Sequence, residues 1–144
     1  MKPAFWRYLL PVILWCSLIF VFSHQPKEES EEYSKLAVWI LKLLGIDLNA
    51  WTMGNATMIV RKGAHITEYF ILASLVLRYL RNRYSPLSPQ IFSFGLIFSV
   101  LYAATDEFHQ TFIPGRVGCL EDVMIDSIGI ILVGVTFFLI TRKK

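Results

Sequence analysis

Val123-Met124-Ile125-Asp126-Ser127-Ile128-Gly129-Ile130-Ile131-Leu132-Val133-Gly134-Val135-Thr136-Phe137-Phe138-Leu139-Ile140 is an apolar run interrupted only by Asp126 and Ser127 and closed by Arg142-Lys143-Lys144. A helix crossing the roughly 30 Å hydrocarbon layer needs about 17 to 25 such residues, and in lipid the helix satisfies every backbone hydrogen bond within itself. The run therefore predicts a transmembrane helix over 123–140. Three further segments read the same way. Residues 4–22 are apolar until the polar run that begins at Ser23. Residues 64–80 carry His65 and Glu68 near one end and Arg78 near the other. Residues 91–110 are apolar through Ala104 and continue as helix past Asp106 to Gln110. The expected fold is all-α: one domain over 1–144, an integral membrane bundle of four transmembrane helices.

Composition agrees. The chain of 144 residues is 55% hydrophobic and only 17% charged, with a mean hydropathy of +0.52, whereas a soluble domain carries about a quarter charged residues. The formal net charge of +3 does not signal nucleic acid, because no window combines clustered Lys and Arg with interleaved aromatics. Cys16 and Cys119 match no metal-binding spacing and are assigned no chemistry. Lys2 and Arg7 before an apolar run resemble a secretory leader, but Ser23-His24-Gln25-Pro26 offers no small-x-small cleavage site, so the run reads as an uncleaved anchor.

Between the first two spans the pattern changes. Tyr33, Leu36, Ala37, Ile40, Leu41 and Leu44 follow the 3, 1, 3, 1, 3 spacing of one helical face. Ser30 is placed to cap this helix, Glu31 and Glu32 suit its first turn, and Gly45 suits its end. The expectation is a short amphipathic helix over 30–44 lying in the membrane interface, with Trp39 and Trp51 at headgroup level.

Orientation follows from Lys and Arg in short flanks. With four spans, Lys2, Arg7, Arg78, Arg81, Arg83, Arg142, Lys143 and Lys144 share one side, eight of the 14 basic residues, with none of the 11 acidic ones. The expectation is a multi-pass protein of the cytoplasmic membrane with both termini in the cytoplasm. All acids and all three histidines then fall on or near the outer side.

Four polar clusters sit at that end: His24-Gln25, Arg61-Lys62 with His65 and Glu68, Asp106-Glu107 with His109-Gln110, and Arg116 with Asp122 and Asp126. Spacings of three and four put Arg61, His65 and Glu68 on one helical face, Asp106, His109 and Gln110 on another, and Asp122 and Asp126 on a third. Ionisable groups inside the hydrocarbon are costly, about 2.5 to 3.5 kcal/mol at a helix centre. His65, Glu68 and Asp126 are therefore expected to face the bundle interior and to pair there. The competing structural reading is that Arg116 with Asp122, or Arg61 with Glu68, merely holds helices together.

Three chemistries fit these residue types. A divalent metal could be held by His65, Glu68, Asp106, His109 and one of Asp122 or Asp126, with His65, Asp106 and His109 the first candidates. Acid–base work on a phosphorylated or acylated lipid would use His65 or His109 as base, with Glu68, Asp106, Glu107 and Asp126 as the other catalytic candidates and Arg61, Lys62 or Arg116 holding an anion. Binding without turnover would use the same pocket, with His24, Gln110 and Asp122 among the substrate contacts. Ser23 and Cys119 are nucleophile candidates by position alone.

Arg61-Lys62-Gly63-Ala64-His65-Ile66-Thr67-Glu68-Tyr69, then Asp106-Glu107-Phe108-His109-Gln110 running to Gly115-Arg116, then Asp122 and Asp126 with Gly129, together with Phe22-Ser23-His24-Gln25-Pro26, resemble the VanZ-like family of bacterial membrane proteins. The resemblance covers nearly the whole chain. It implies a cell-envelope role and marks the residues named above as the positions of interest. The family's founding member is associated with low-level resistance to the glycopeptide teicoplanin. The expected function is thus an outer-facing pocket for a membrane lipid or lipid-linked envelope precursor. The alternatives are a non-catalytic scaffold with a structural polar network, and a small transporter, which would need oligomerisation.

Overall fold

The computed structural model describes residues 3–142. Lys2, Lys143 and Lys144, counted above among the cytoplasmic cations, lie outside the described residues, as does the side chain of Arg142. The described chain forms helices α1 (Pro3–Ser23), α2 (Lys27–Leu43), α3 (Leu48–Thr52), α4 (Ala56–Arg83), α5 (Pro89–Gln110) and α6 (Leu120–Arg142). No strand occurs among the described residues.

Three of these helices contain stretches long and apolar enough to cross a membrane: Phe5–Ser23, Pro89–Gln110 and Leu120–Ile140. They mark a multi-pass membrane protein. Of the four helices expected, α4 does not meet this measure. At 28 residues it is the longest, about 42 Å at 1.5 Å per residue, but Arg61, Lys62, Glu68, Arg78, Arg81 and Arg83 leave it too polar to qualify. Packing supplies the reason. Helix α4 touches α1, α2, α5 and α6, and most extensively α6. Its buried stripe of Tyr69, Leu72, Ala73, Val76, Leu77 and Leu80 repeats every three to four residues, as an inward face does. A helix surrounded by other helices has little surface left for lipid to solvate.

The neighbours are held close by small residues and by two long-range hydrogen bonds. A Cβ at Gly129 of α6 would collide with the Ile66 carbonyl oxygen of α4, so only glycine permits this backbone approach. Trp15 Nε1 of α1 donates to the Glu68 carbonyl at 2.9 Å, and Tyr102 Oη of α5 donates to the Cys16 carbonyl at 2.7 Å.

The amphipathic segment is helical, but it starts at Lys27, after Pro26. Ser30 therefore lies inside α2 and does not cap it; its carbonyl accepts from Ser34 Oγ. Gly45 does end the segment, at φ +87°. Only Ser34 and Val38 of this helix are buried. Most of the apolar face points away: Tyr33, Leu36, Ile40, Leu43 and Leu44 are exposed, with Trp39 beside them.

The two ends of the bundle differ. At one, Arg78 lies over the Tyr8 ring at 5.4 Å and Arg81 over the Phe137 ring at 5.7 Å, which joins the start of α1 to the end of α4 and the end of α4 to the end of α6. At the other, the end of α1, the start of α4, the end of α5 and the start of α6 meet.

Candidate functional site

At this second end, four helices and a connection line a cavity of about 160 Å³, with Lys27 and Ser30 contributed by α2. Arg61, Lys62 and His65 enter it from α4, Gln110 from the end of α5, Arg116 from the α5–α6 connection, and Asp122 and Asp126 from α6. The connection is folded back over α1 and α2. Arg116 Nε donates to the Gln25 carbonyl at 2.9 Å, and Gly115, at φ +72°, turns the chain against Lys27. A Cβ at Gly118 would collide with the Glu107 carbonyl, so glycine lets the chain cross the end of α5.

In and beside the cavity, polar groups are withdrawn from solvent: Asp106, Glu107, Gln110 and Asp126 are all buried, Asp126 completely. Gln110 organises the first two. Its Nε2 donates to Asp106 Oδ2 at 3.2 Å and to Glu107 Oε1 at 3.1 Å, while its Oε1 accepts from Arg116 Nη1 at 3.1 Å. The Cys119 backbone N–H donates to Glu107 Oε2 at 3.1 Å. Burial holds the Arg116 guanidinium below its ordinary value; nearby Arg61 pulls the same way, and Asp106, Glu107 and Glu68 oppose both.

His65 and Asp126 meet as expected, but loosely. Nδ1 and Oδ1 stand 3.5 Å apart, beyond the 2.7 to 3.2 Å of a good N–H···O bond. His65 Nδ1 and both carboxylate oxygens of Asp126 are buried with no hydrogen-bond partner among the described residues. Lys62 pairs across helices with Asp122 at 3.8 Å; the Arg116–Asp122 and Arg61–Glu68 pairs of the competing structural reading do not occur among the described residues.

The structure divides the sequence-derived set. Arg61, Lys62, His65, Gln110, Arg116, Asp122 and Asp126 share the cavity, and Asp106 and Glu107 stand beside it. Glu68 opens on a second, adjoining cavity of about 480 Å³ between the end of α1, α2 and α4. His109 and His24 stand apart from both. His24 Nδ1 and His109 Nε2 are 3.2 Å apart, and the His109 ring packs on Phe20 at 4.6 Å. The face expected on α5, with Asp106, His109 and Gln110, is thus corrected to Asp106, Glu107 and Gln110, because Ala103 and Ser99 set the inward direction. The metal candidates His65, Asp106 and His109 are not gathered either. Among the described residues, the groups of potential ligand atoms within 4.8 Å of one another are His65, Glu107 and Asp126, and Glu107, Cys119 and Asp122. Sequence reasoning missed the parts played by the Cys119 N–H and the Gln25 carbonyl, backbone groups that leave no trace in residue type.

Fold and site together define an all-helical, multi-pass membrane protein with buried acids, an imidazole and guanidinium groups gathered at one end of its bundle. The profile of the VanZ/LLP1 family matches residues 8–141. The chain belongs to that family, as the motifs around His65, Asp106 and Asp126 imply. No curated protein and no solved structure matches it.

Proposed function

We propose that the chain spans the cytoplasmic membrane four times, through α1, α4, α5 and α6, with both termini in the cytoplasm. Its outer face then carries a pocket that binds a lipid or lipid-linked envelope precursor, with acid and base groups placed for its modification. The concentration of Arg78, Arg81 and Arg83 at the end opposite the acids supports this orientation. The observation that carries the pocket reading is the adjacency of two unlike cavities. One presents Arg61, Lys62 and Arg116; the other, shared at Arg61, His65 and Arg116, is lined by Phe22, Tyr33, Ala37 and Val60. An anionic headgroup fits the first and the start of an acyl or prenyl chain fits the second, each meeting its own kind of surface. His65 and Glu68 border both cavities or the apolar one, where they can exchange protons with a bound headgroup. The association of the family's founding member with teicoplanin supports an effect on susceptibility to that glycopeptide.

Equilibrium binding of radiolabelled short-chain phosphatidic acid and phosphatidylcholine to the purified chain in detergent tests the headgroup reading. Phosphatidic acid should bind more tightly, and Arg61→Gln should weaken it roughly tenfold to a hundredfold, the worth of a charged hydrogen bond of about 1.5 to 3 kcal/mol. Equal binding of both lipids, unchanged by Arg61→Gln, would sink the idea. Modification is tested in a deletion strain: if His65→Ala, Glu68→Ala and Asp106→Ala all restore wild-type teicoplanin susceptibility, the pocket has no catalytic role. The Gln110 network favours a structural share for part of the set, since it ties α5 to the connection that closes the site.

A further inference from the structure

We propose that His65, Glu107 and Asp126 form a divalent transition-metal site at the polar cavity. The three side chains come from α4, α5 and α6 and place one ligand atom each within 4.8 Å of the others. Residue type alone would make this an acidic cluster with a histidine. The deciding observation is Asp126, fully buried, with neither carboxylate oxygen hydrogen-bonded among the described residues and with the equally unpartnered Nδ1 of His65 beside it. A buried carboxylate is normally paired, hydrogen-bonded or bound to a cation.

The His65–Asp126 spacing suits a shared cation. Nδ1 and Oδ1 are 3.5 Å apart, long for a hydrogen bond. Two ligands each about 2.1 Å from one tetrahedral ion stand roughly 3.4 Å apart. Glu107 uses one lone pair on each oxygen for Gln110 and Cys119, which fixes its carboxylate and leaves further lone pairs for an ion. One imidazole with two carboxylates suits zinc, manganese or iron; magnesium prefers oxygen ligands and water. The second group, Glu107 with Cys119 and Asp122, makes no such demand, because Cys119 Sγ already donates to Asp122 Oδ2 at 3.3 Å.

The test uses the full chain purified in detergent, stripped with chelator, equilibrated with Zn²⁺ or Mn²⁺ alone, and dialysed. Bound metal is measured by mass spectrometry and thermal stability is recorded in parallel. The expected result is about one ion per chain, a higher melting temperature with metal than with chelator, and no displacement by Mg²⁺ at equal concentration. Asp126→Asn and His65→Ala should each weaken retention by more than the roughly 10- to 100-fold that outer-shell changes cost. His24→Ala, His109→Ala and Cys119→Ser should retain the ion. Glu107→Gln, nearly isosteric, gives the same readout if Asp126→Asn does not fold. A wild-type chain that retains no ion, ligand variants that retain it fully, or a His109→Ala or Cys119→Ser variant that loses it would each overturn the proposal. None of these readouts involves lipid, so a failure here leaves headgroup binding standing.

Discussion

Gln110 makes three hydrogen bonds with one side chain, to Asp106, Glu107 and Arg116. Gln110→Leu keeps much of its volume but strips partners from two buried carboxylates and a half-buried guanidinium. Each buried polar group left unsatisfied costs about 1 to 3 kcal/mol, so this variant should melt well below wild type in detergent while retaining its helix content by circular dichroism. Glycines provide a second contrast. Gly129→Ala drives a methyl into the Ile66 carbonyl and should cost about 1 to 3 kcal/mol, the usual range for overpacking. Gly63→Ala, also within a helix, meets nothing within 4 Å and should be neutral or stabilising by up to about 1 kcal/mol; equal melting temperatures for the two would refute the close α4–α6 approach. Helical spacing placed His65, Asp126 and Gln110 on inward faces, and the structure brings all three to one cavity. The same spacing misdirected at His109, because three- and four-residue steps admit two neighbouring faces on α5, and only the packing of Ser99 and Ala103 selects one.

Among the elements, α4 inverts the ordinary link between hydropathy and burial. The most apolar helices carry the most exposed side chains, whereas α4 buries the long stripe through Tyr69 and Leu77. Leu77→Ala should therefore cost about 2 to 5 kcal/mol, while Ile131→Ala on α6, which is exposed, should stay within about 0.5 kcal/mol; comparable losses would place the core elsewhere. A window of hydropathy reads how a helix would fare alone in lipid, so it finds α1, α5 and α6 and undervalues a helix whose polar face is sheltered. The same physics explains α2: its apolar periodicity was legible, but whether that face meets protein or membrane was not. With Trp6, Trp15 and Trp51 replaced by Phe, the fluorescence of Trp39 should be quenched more by lipids brominated near the headgroup than by lipids brominated near the chain ends. The reverse order would remove α2 from the interface.

For the whole molecule, the proposed four-fold crossing makes a sharp statement about sidedness. In a chain with Cys16→Ser and Cys119→Ser, a Met53→Cys thiol, ahead of α4 and fully exposed, should react with a membrane-impermeant reagent in intact cells. A Ser85→Cys thiol, just beyond α4, should react only after lysis. Labelling of both from outside would mean that α4 does not cross, and the opposite pattern would invert the protein. The all-helical, multi-pass character was legible because lipid imposes a length on each span. The junction of the α5–α6 connection with α1 and α2 was not, because it rests on backbone partners such as the Gln25 carbonyl.

The central position of α4 also bears on how the chain is made. A helix carrying Arg61, Lys62 and Glu68 has little tendency to partition into lipid by itself, yet it is synthesised before α5 and α6, the partners that shelter it. On the four-span topology, its stable integration must wait for residues translated later, so the polar end of the bundle is completed only when α6 arrives. A chain stopped after Tyr84 should accordingly leave α4 accessible to protease on the membrane surface, and the full chain should protect it. Biogenesis would then act as a checkpoint: the pocket cannot form in the bilayer before every helix that lines it has entered.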